Sequence, residues 1–146
     1  MKTSPSPASV AQHAFTVDTA GRGLVEITEP VRRVARASGM QAGVAHVFAS
    51  HTSCSLLITE NADPDVRADL ERYFGRLVPD GDPLYAHDAE GPDDMPAHVR
   101  AALTAVSVAV PLTGADLALG TWQGIYLWEH RLRPHRRRII VTLVGC

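Results

Sequence analysis

The chain has only two cysteines, Cys54 and Cys146, the second at its last position. Two thiols make no disulfide framework, and a reducing compartment, the cytoplasm, is the default expectation. No apolar run approaches the roughly 20 residues that a membrane helix needs. The opening MKTSPSPAS has one lysine and no apolar stretch, so no secretory signal is expected. Positive charge is not in excess either. Lys+Arg 14 against Asp+Glu 16 leave a formal net charge of -2, so no global field recruits nucleic acid or an anionic membrane. Repeats, low-complexity tracts and domain linkers are missing as well. What is present is an ordinary globular composition, 45% hydrophobic and 21% charged, over 146 residues. That length supports one domain with one core.

Residues 1–11 read as a disordered lead and 12–146 as the domain. QHAFTV (12–17) and RGLVEI (22–27) read as short strands joined by Asp18-Thr19-Ala20-Gly21. TEPVRRVARASG has Pro30 near a helix start, Gly39 as its stop, and Val31, Val34 and Ala35 on one face. VAHVFAS (44–50) and SLLIT (55–59) read as strands bracketing His51-Thr52-Ser53. ADPDVRADLERYFGRLV is the clearest helix, with Asp63 as N-cap, Pro64 at the first position, and Val66, Leu70, Tyr73, Phe74 and Leu77 at helical spacing. Residues 79–94 form a long loop, MPAHVRAALTAV a further helix, and SVAVP starts a strand. In GTWQGIYLWEH the period is two: Trp122, Tyr126, Trp128 and His130 face one way, Gln123, Ile125, Leu127 and Glu129 the other. RIIVTLVG closes the chain as a strand. The expectation is an α+β, sheet-rich single domain of antiparallel or mixed sheets with about three helices.

One stretch invites a chemical reading. HDAEGPDDMPAH places four carboxylates between His87 and His98, just ahead of a helix. A histidine ligand needs a neutral imidazole held by a second contact. His98, just after Pro96, sits in a first helical turn, where the helix dipole disfavours its charged form. Asp94, four residues earlier, could cap the same helix. An interval of eleven residues is no established metal signature, so a solvated acidic loop remains open. His51, at a strand end, is a third candidate. Cys54 reads as a buried small residue, since nothing near it in sequence lowers a thiol pKa.

HTSCSL, TENADPDVRADLERYF, YAHDAEGPDDMPAHVRAAL, GTWQGIYLWEHR and RRIIVTLVG, in this order, resemble the YjbQ-like family, whose members are described as secondary thiamine-phosphate synthases. The resemblance runs from about residue 12 to the C-terminus. It implies a homotrimer with sites near subunit boundaries. His51 corresponds to the family's HTS motif, Asn61 and Asp63 to an asparagine–aspartate pair, His87, Glu90 and His98 to the histidine loop, and Gln123 and Glu129 to the GTWQ strand. Cys54 stands where relatives often carry alanine, and Thr59 where many carry a second asparagine.

The reaction so implied joins a hydroxymethylpyrimidine diphosphate to a thiazole phosphate with loss of diphosphate. Its hard part is the leaving group's charge, neutralised by a divalent cation and basic side chains. His51, His87 and His98 are the metal candidates. Imidazoles suit zinc or nickel, and magnesium would need the carboxylate oxygens of Glu90 or Asp94. His51, Gln123 and Glu129 are the catalytic candidates, with Gln123 and Glu129 read as lining the histidines' pocket. Asn61, Arg67, Glu90 and Arg137 are the substrate-binding candidates. The run from Arg131 to Arg138 has no aromatic platform, so it does not read as a nucleic-acid surface. The expected partners are a small phosphorylated metabolite and further copies of the chain, with no nucleic acid and no membrane. Two other readings stay open: a metal-dependent hydrolase of a small phosphorylated metabolite, and a non-catalytic trimer that binds a metal or metabolite.

Overall fold

Pairing between the two ends of the chain organises the molecule. In the computed structural model, which describes residues 6–146, β1 (Ser9–Asp18) lies antiparallel to β8 (Arg136–Gly145), from Ser9 opposite Gly145 to Asp18 opposite Arg136. The first strand thus begins before the expected residue 12 and takes residues 9–11 out of the expected lead. The part of that lead in residues 1–5 lies outside the described residues. Between these strands the chain forms β2 (Gly23–Glu26), α1 (Thr28–Ser38), β3 (Ala42–Ala49), β4 (Cys54–Glu60), α2 (Pro64–Leu77), α3 (Asp94–Leu103), β5 (Ser107–Thr113), β6 (Asp116–Leu117) and β7 (Gln123–Glu129).

Two sheets result, and every pairing in them is antiparallel. One has the order β1-β8-β3-β5-β6 and the other β2-β7-β4. With three helices this is the α+β class that the order of elements leads one to expect. The core lies between the sheets and α1. Val31 and Ala35 of α1 meet Ala45 and Val47 of β3, Ile125 and Leu127 of β7, and Ile139, Val141 and Leu143 of β8, all within one buried cluster. Burial of that apolar surface is the main stabilising contribution.

The helix signals act as the sequence suggests. Gly39 ends α1 in the left-handed conformation, at φ 69. The Asp63 carboxylate accepts from the Asp65 N–H, and Pro64 follows it. Helix α3 is shorter than expected, from 94 to 103 rather than 95 to 106. Asp93 occupies its cap position without a side-chain capping bond. Asp94 is therefore not the cap. Its carboxylate is directed elsewhere.

Strand β7 is buried on both faces. Ile125 and Leu127 enter the core, and Tyr126 and Trp128 lie beneath α2. There the Phe74 ring meets Trp128 edge-on at 4.7 Å, and the Trp128 indole N–H donates to Glu71 at 2.7 Å. Both aromatic partners are thus satisfied within the protomer. The outer face of the five-stranded sheet is different. Val10, Val144 and Val44 stand in one row across β1, β8 and β3. They are 70%, 48% and 45% exposed.

Candidate metal centre

The loop from 79 to 93 is tied down at both ends. The Gly81 N–H donates to the Pro92 carbonyl at 3.0 Å, and Gly91, at φ +105, makes a bend that a side chain would strain. Arg131 fastens the loop to the start of the β7–β8 connection. Its guanidinium donates to Asp93 at 3.0 Å, to Asp94 at 2.7 Å and to the Glu90 carbonyl at 3.0 Å. With the loop held in this way, His87 comes back beside the first turn of α3.

There, ligand atoms of His87, Asp94 and His98 all lie within 4.8 Å of one another. His98 Nδ1 is 2.9 Å from the Thr52 carbonyl. A carbonyl only accepts, so Nδ1 carries a proton, and in the neutral ring it is Nε2 that offers a lone pair. That nitrogen lies 3.4 Å from Asp94 Oδ2. His87 Nε2 lies 2.6 Å from the same oxygen. The other carboxylate oxygen is occupied by Arg131. Burial pushes the Asp94 carboxyl up, but hydrogen bonding by His87 and the charge of Arg131 outweigh it and hold the group below the usual carboxylate range. Asp94 is buried, yet the two rings stand partly open, His87 50% and His98 30% exposed. A hydrogen-bonded imidazole with a free lone pair, a second imidazole and an ionised carboxylate form a donor set suited to a divalent cation of the zinc class. A hollow of about 500 Å³ adjoins His87, with Tyr85, Met95 and Pro96 in its lining.

His51 does not join this cluster within the protomer. Its Nε2 accepts the Arg138 backbone N–H at 2.7 Å, so the lone pair expected to meet a metal is already used. Burial, and after it the Arg137 charge, lower its pKa. The carboxylate Asp94 takes the third place that the sequence assigned to His51. A signal for this was present: Asp94 and His98 are four apart, one turn on one face of α3.

Glu129 and Arg137 form a second, fully buried cluster next to the first. Arg137 pairs with both Glu129 oxygens and also donates to Ser53 Oγ at 2.9 Å. Thr19 Oγ1 donates to Glu129 at 2.8 Å, and the Arg131 N–H donates to the same carboxylate at 3.2 Å. Burial raises the Glu129 pKa, but these donors, led by Arg137, bring it below its ordinary value. Glu129 is thus a saturated, ionised carboxylate, and Arg137 is committed to it rather than free for a phosphate. The two clusters touch through Thr52–Ser53 and Arg131. Glu129 and Arg137 therefore position the backbone on which the histidine cluster rests.

The remaining candidates stand elsewhere. Gln123 is at the opposite end of β7 from Glu129, about 20 Å away at the usual rise of a strand. Within the protomer it is not in the histidines' pocket: its side chain accepts from Gly120 N–H at 2.9 Å. Asn61 is beside it, donating to the Thr121 and Gln123 carbonyls. Arg67 lies over the Tyr126 ring and donates to its hydroxyl at 3.2 Å. Glu90 lines a different hollow, with Arg131, Arg133 and His135. Burial lowers the fully enclosed His130 to about 3, and its Nε2 lies 2.8 Å from Ser55 Oγ. Burial likewise raises the Cys54 thiol to about 11, which leaves it inert.

Comparison with known proteins follows these boundaries closely. Residues 13–146 match the family described as UPF0047 protein YjbQ-like. The UPF0047 protein sll1880 of Synechocystis is 47% identical over 142 residues, covering 96% of this chain and 97% of its own. YjbQ of Salmonella typhimurium is 43% identical over 92% of this chain and 97% of its own. Among solved structures, the conserved hypothetical protein TT1486 of Thermus thermophilus superposes with a TM-score of 0.80 at 33% identity, over 90% of this chain and 98% of its own. A YbjQ-like protein of unknown function from Sulfolobus solfataricus shares the fold, with a TM-score of 0.87 over 96% of this chain and 100% of its own at 23% identity. These relatives bring a fold and a family with them, so a reaction has to be argued from the site.

Proposed function

The chain belongs to the YjbQ-like UPF0047 family, and from that premise we propose that it is a divalent-metal enzyme acting on a small phosphorylated substrate at the His87–Asp94–His98 cluster. The observation that carries this reading is the Thr52 carbonyl on His98 Nδ1, which fixes the ring with Nε2 facing an ionised carboxylate. Such a second contact sets the tautomer that a metal needs. His87, His98 and Asp94 would hold the ion, which when bound neutralises charge on phosphate oxygens.

The reaction we propose is the thiamine-phosphate synthase type. The thiazole nitrogen donates its lone pair to the pyrimidine methyl carbon as the carbon–oxygen bond breaks, and diphosphate leaves with the bonding pair. No proton has to move, so no general base is required. That agrees with Glu129, the ionised carboxylate of the neighbouring cluster, being saturated. Incubating the purified chain with both precursors and either magnesium or zinc should yield thiamine phosphate, and His98→Ala should abolish it. Absence of product with either ion would remove this reaction. A second reading is favoured by the donor set itself. Two imidazoles suit zinc better than magnesium, the usual partner of diphosphate. It is a zinc-assisted hydrolysis, recognised by release of phosphate or diphosphate without any thiazole acceptor.

We also propose that the chain works as a homotrimer through the outer face of its five-stranded sheet. The apolar row Val10, Val144 and Val44 supports this, because such an exposed patch favours association. Light scattering on the purified protein should give three times 15.7 kDa. A monomeric mass would refute the assembly.

A further inference from the structure

The β7–β8 connection carries more positive charge than its contacts use. Arg131 is paired with Asp93 and Asp94, Arg136 with Asp18, and Arg137 with Glu129. Among the described residues Arg133 has no such partner, and it borders a hollow of about 520 Å³. That hollow lies between the connection and the Ala89–Gly91 bend of the histidine loop. His135 stands on the same rim. Its Nδ1 donates to the Arg133 carbonyl at 2.8 Å, which leaves Nε2 for a ligand oxygen. Nε2 can meet that oxygen as a donor or, where the ligand is a protonated phosphate, as an acceptor.

The rim is held still. The His135 N–H donates to Thr19 Oγ1 at 3.0 Å, and the His135 carbonyl accepts the Thr19 N–H at 2.8 Å. The Leu132 N–H donates to Asp93 at 2.9 Å. The backbone that carries both side chains, fixed on either side of Pro134, is ordered before any ligand arrives, which lowers the entropy cost of binding. A free guanidinium with a fixed second contact is suited to a phosphoryl group. Glu90, on the opposite rim, opposes a bare anion and favours a ligand that also brings a hydrogen-bond donor. Arg131 joins this rim to Asp94, so a ligand in the hollow would lie beside the metal candidates.

We propose that this hollow is the phosphoryl subsite of the enzyme, with Arg133 and His135 Nε2 as its contacts. The ligand class rests on the phosphorylated-substrate reading above, but the subsite can be tested without turnover. Inorganic phosphate and pyrophosphate would be titrated calorimetrically into the full chain, wild type and variants. Arg133→Ala is expected to weaken phosphate at least tenfold and Arg133→Lys less. Glu90→Gln should tighten phosphate severalfold by removing the opposing charge. Zinc binding and the unfolding midpoint should stay unchanged in Arg133→Ala, because the side chain is exposed and bears on neither. The proposal is overturned if wild type binds no phosphate or if Arg133→Ala binds it as tightly as wild type. It is equally overturned if affinity is lost in His98→Ala and kept in Arg133→Ala, which would put the anion on the metal. Arg133-dependent binding in a chain that makes no thiamine phosphate would uphold the subsite and remove only the reaction.

Discussion

Two polar clusters lie side by side in this protein and have opposite characters. Around Glu129 and Arg137, each oxygen of the carboxylate has two donors and the side chains are nearly sealed from water. Around His87, Asp94 and His98, the carboxylate is buried but its two imidazoles stand partly in solvent, and His98, with Nδ1 on the Thr52 carbonyl, has Nε2 turned towards the cluster. Each is built round a buried carboxylate held below its ordinary pKa. What separates them is saturation. A buried charge with all its bonds made organises the fold, whereas one left with free ligand positions can bind. Under the proposed function, this contrast gives Glu129 a positioning role and the histidine cluster the chemistry.

The contrast is broken most severely by removing one member of the saturated pair. Arg137→Ala leaves Glu129 charged and uncompensated in the core, and should cost about 3–5 kcal/mol in denaturant unfolding. A cost near zero would mean that water reaches Glu129 and that the two clusters do not differ as described. Next in size is His98→Ala, which should weaken zinc by about 100-fold or more while changing stability by less than about 1 kcal/mol. Loss of the fold together with the metal would make the histidine cluster structural as well.

A pH titration of stability sharpens the difference further. His130 is held near 3 when folded and returns to an ordinary 6.5 when unfolded. Between those values the unfolded chain binds the extra proton. Stability should therefore fall as pH drops below 6.5, by about 1.4 kcal/mol per pH unit from this group. Glu129 and Asp94, held low in the fold, add stability that is present above their unfolded values of 4.5 and 3.8 and is lost as pH falls through their folded ones. A flat profile between pH 6.5 and 5 in chemical denaturation would show that His130 is not sealed. The smallest expected effects are those of Asn61→Ala and Gln123→Ala, at the far end of β7. Each should shift stability by about 0.5 kcal/mol or less and leave zinc affinity unchanged. If either lowers turnover without touching zinc binding, the far end of a neighbouring copy reaches the site, and the boundary location that the family resemblance implies gains support.

Much of the local structure was legible because it is written in short-range physics. Asp63 and Pro64 start a helix, Gly39 stops one, and alternation in β7 separates Ile125 and Leu127 from Tyr126 and Trp128. His87 and His98 were legible as a pair because loop and helix are adjacent in the chain. The place of His51 was not legible, since its ring is turned by a backbone N–H of Arg138, 87 residues away. Nor was the fate of Arg137 within a run of arginines. Five neighbouring guanidiniums look alike in sequence, and only their distant partners distinguish the one sealed against Glu129 from the one left at the hollow.

By itself, then, the amino-acid order determined the α+β class, the helix limits to within a few residues and the family, because caps, turns and periodicity act over a handful of neighbours. Tertiary structure alone decided which polar groups are spent and which are available. Saturation depends on donors and acceptors brought together across strand pairings more than a hundred residues apart, as between Thr19 and Glu129. Short-range patterns contain no record of such pairings. His51 stands apart from the cluster within the protomer for that reason.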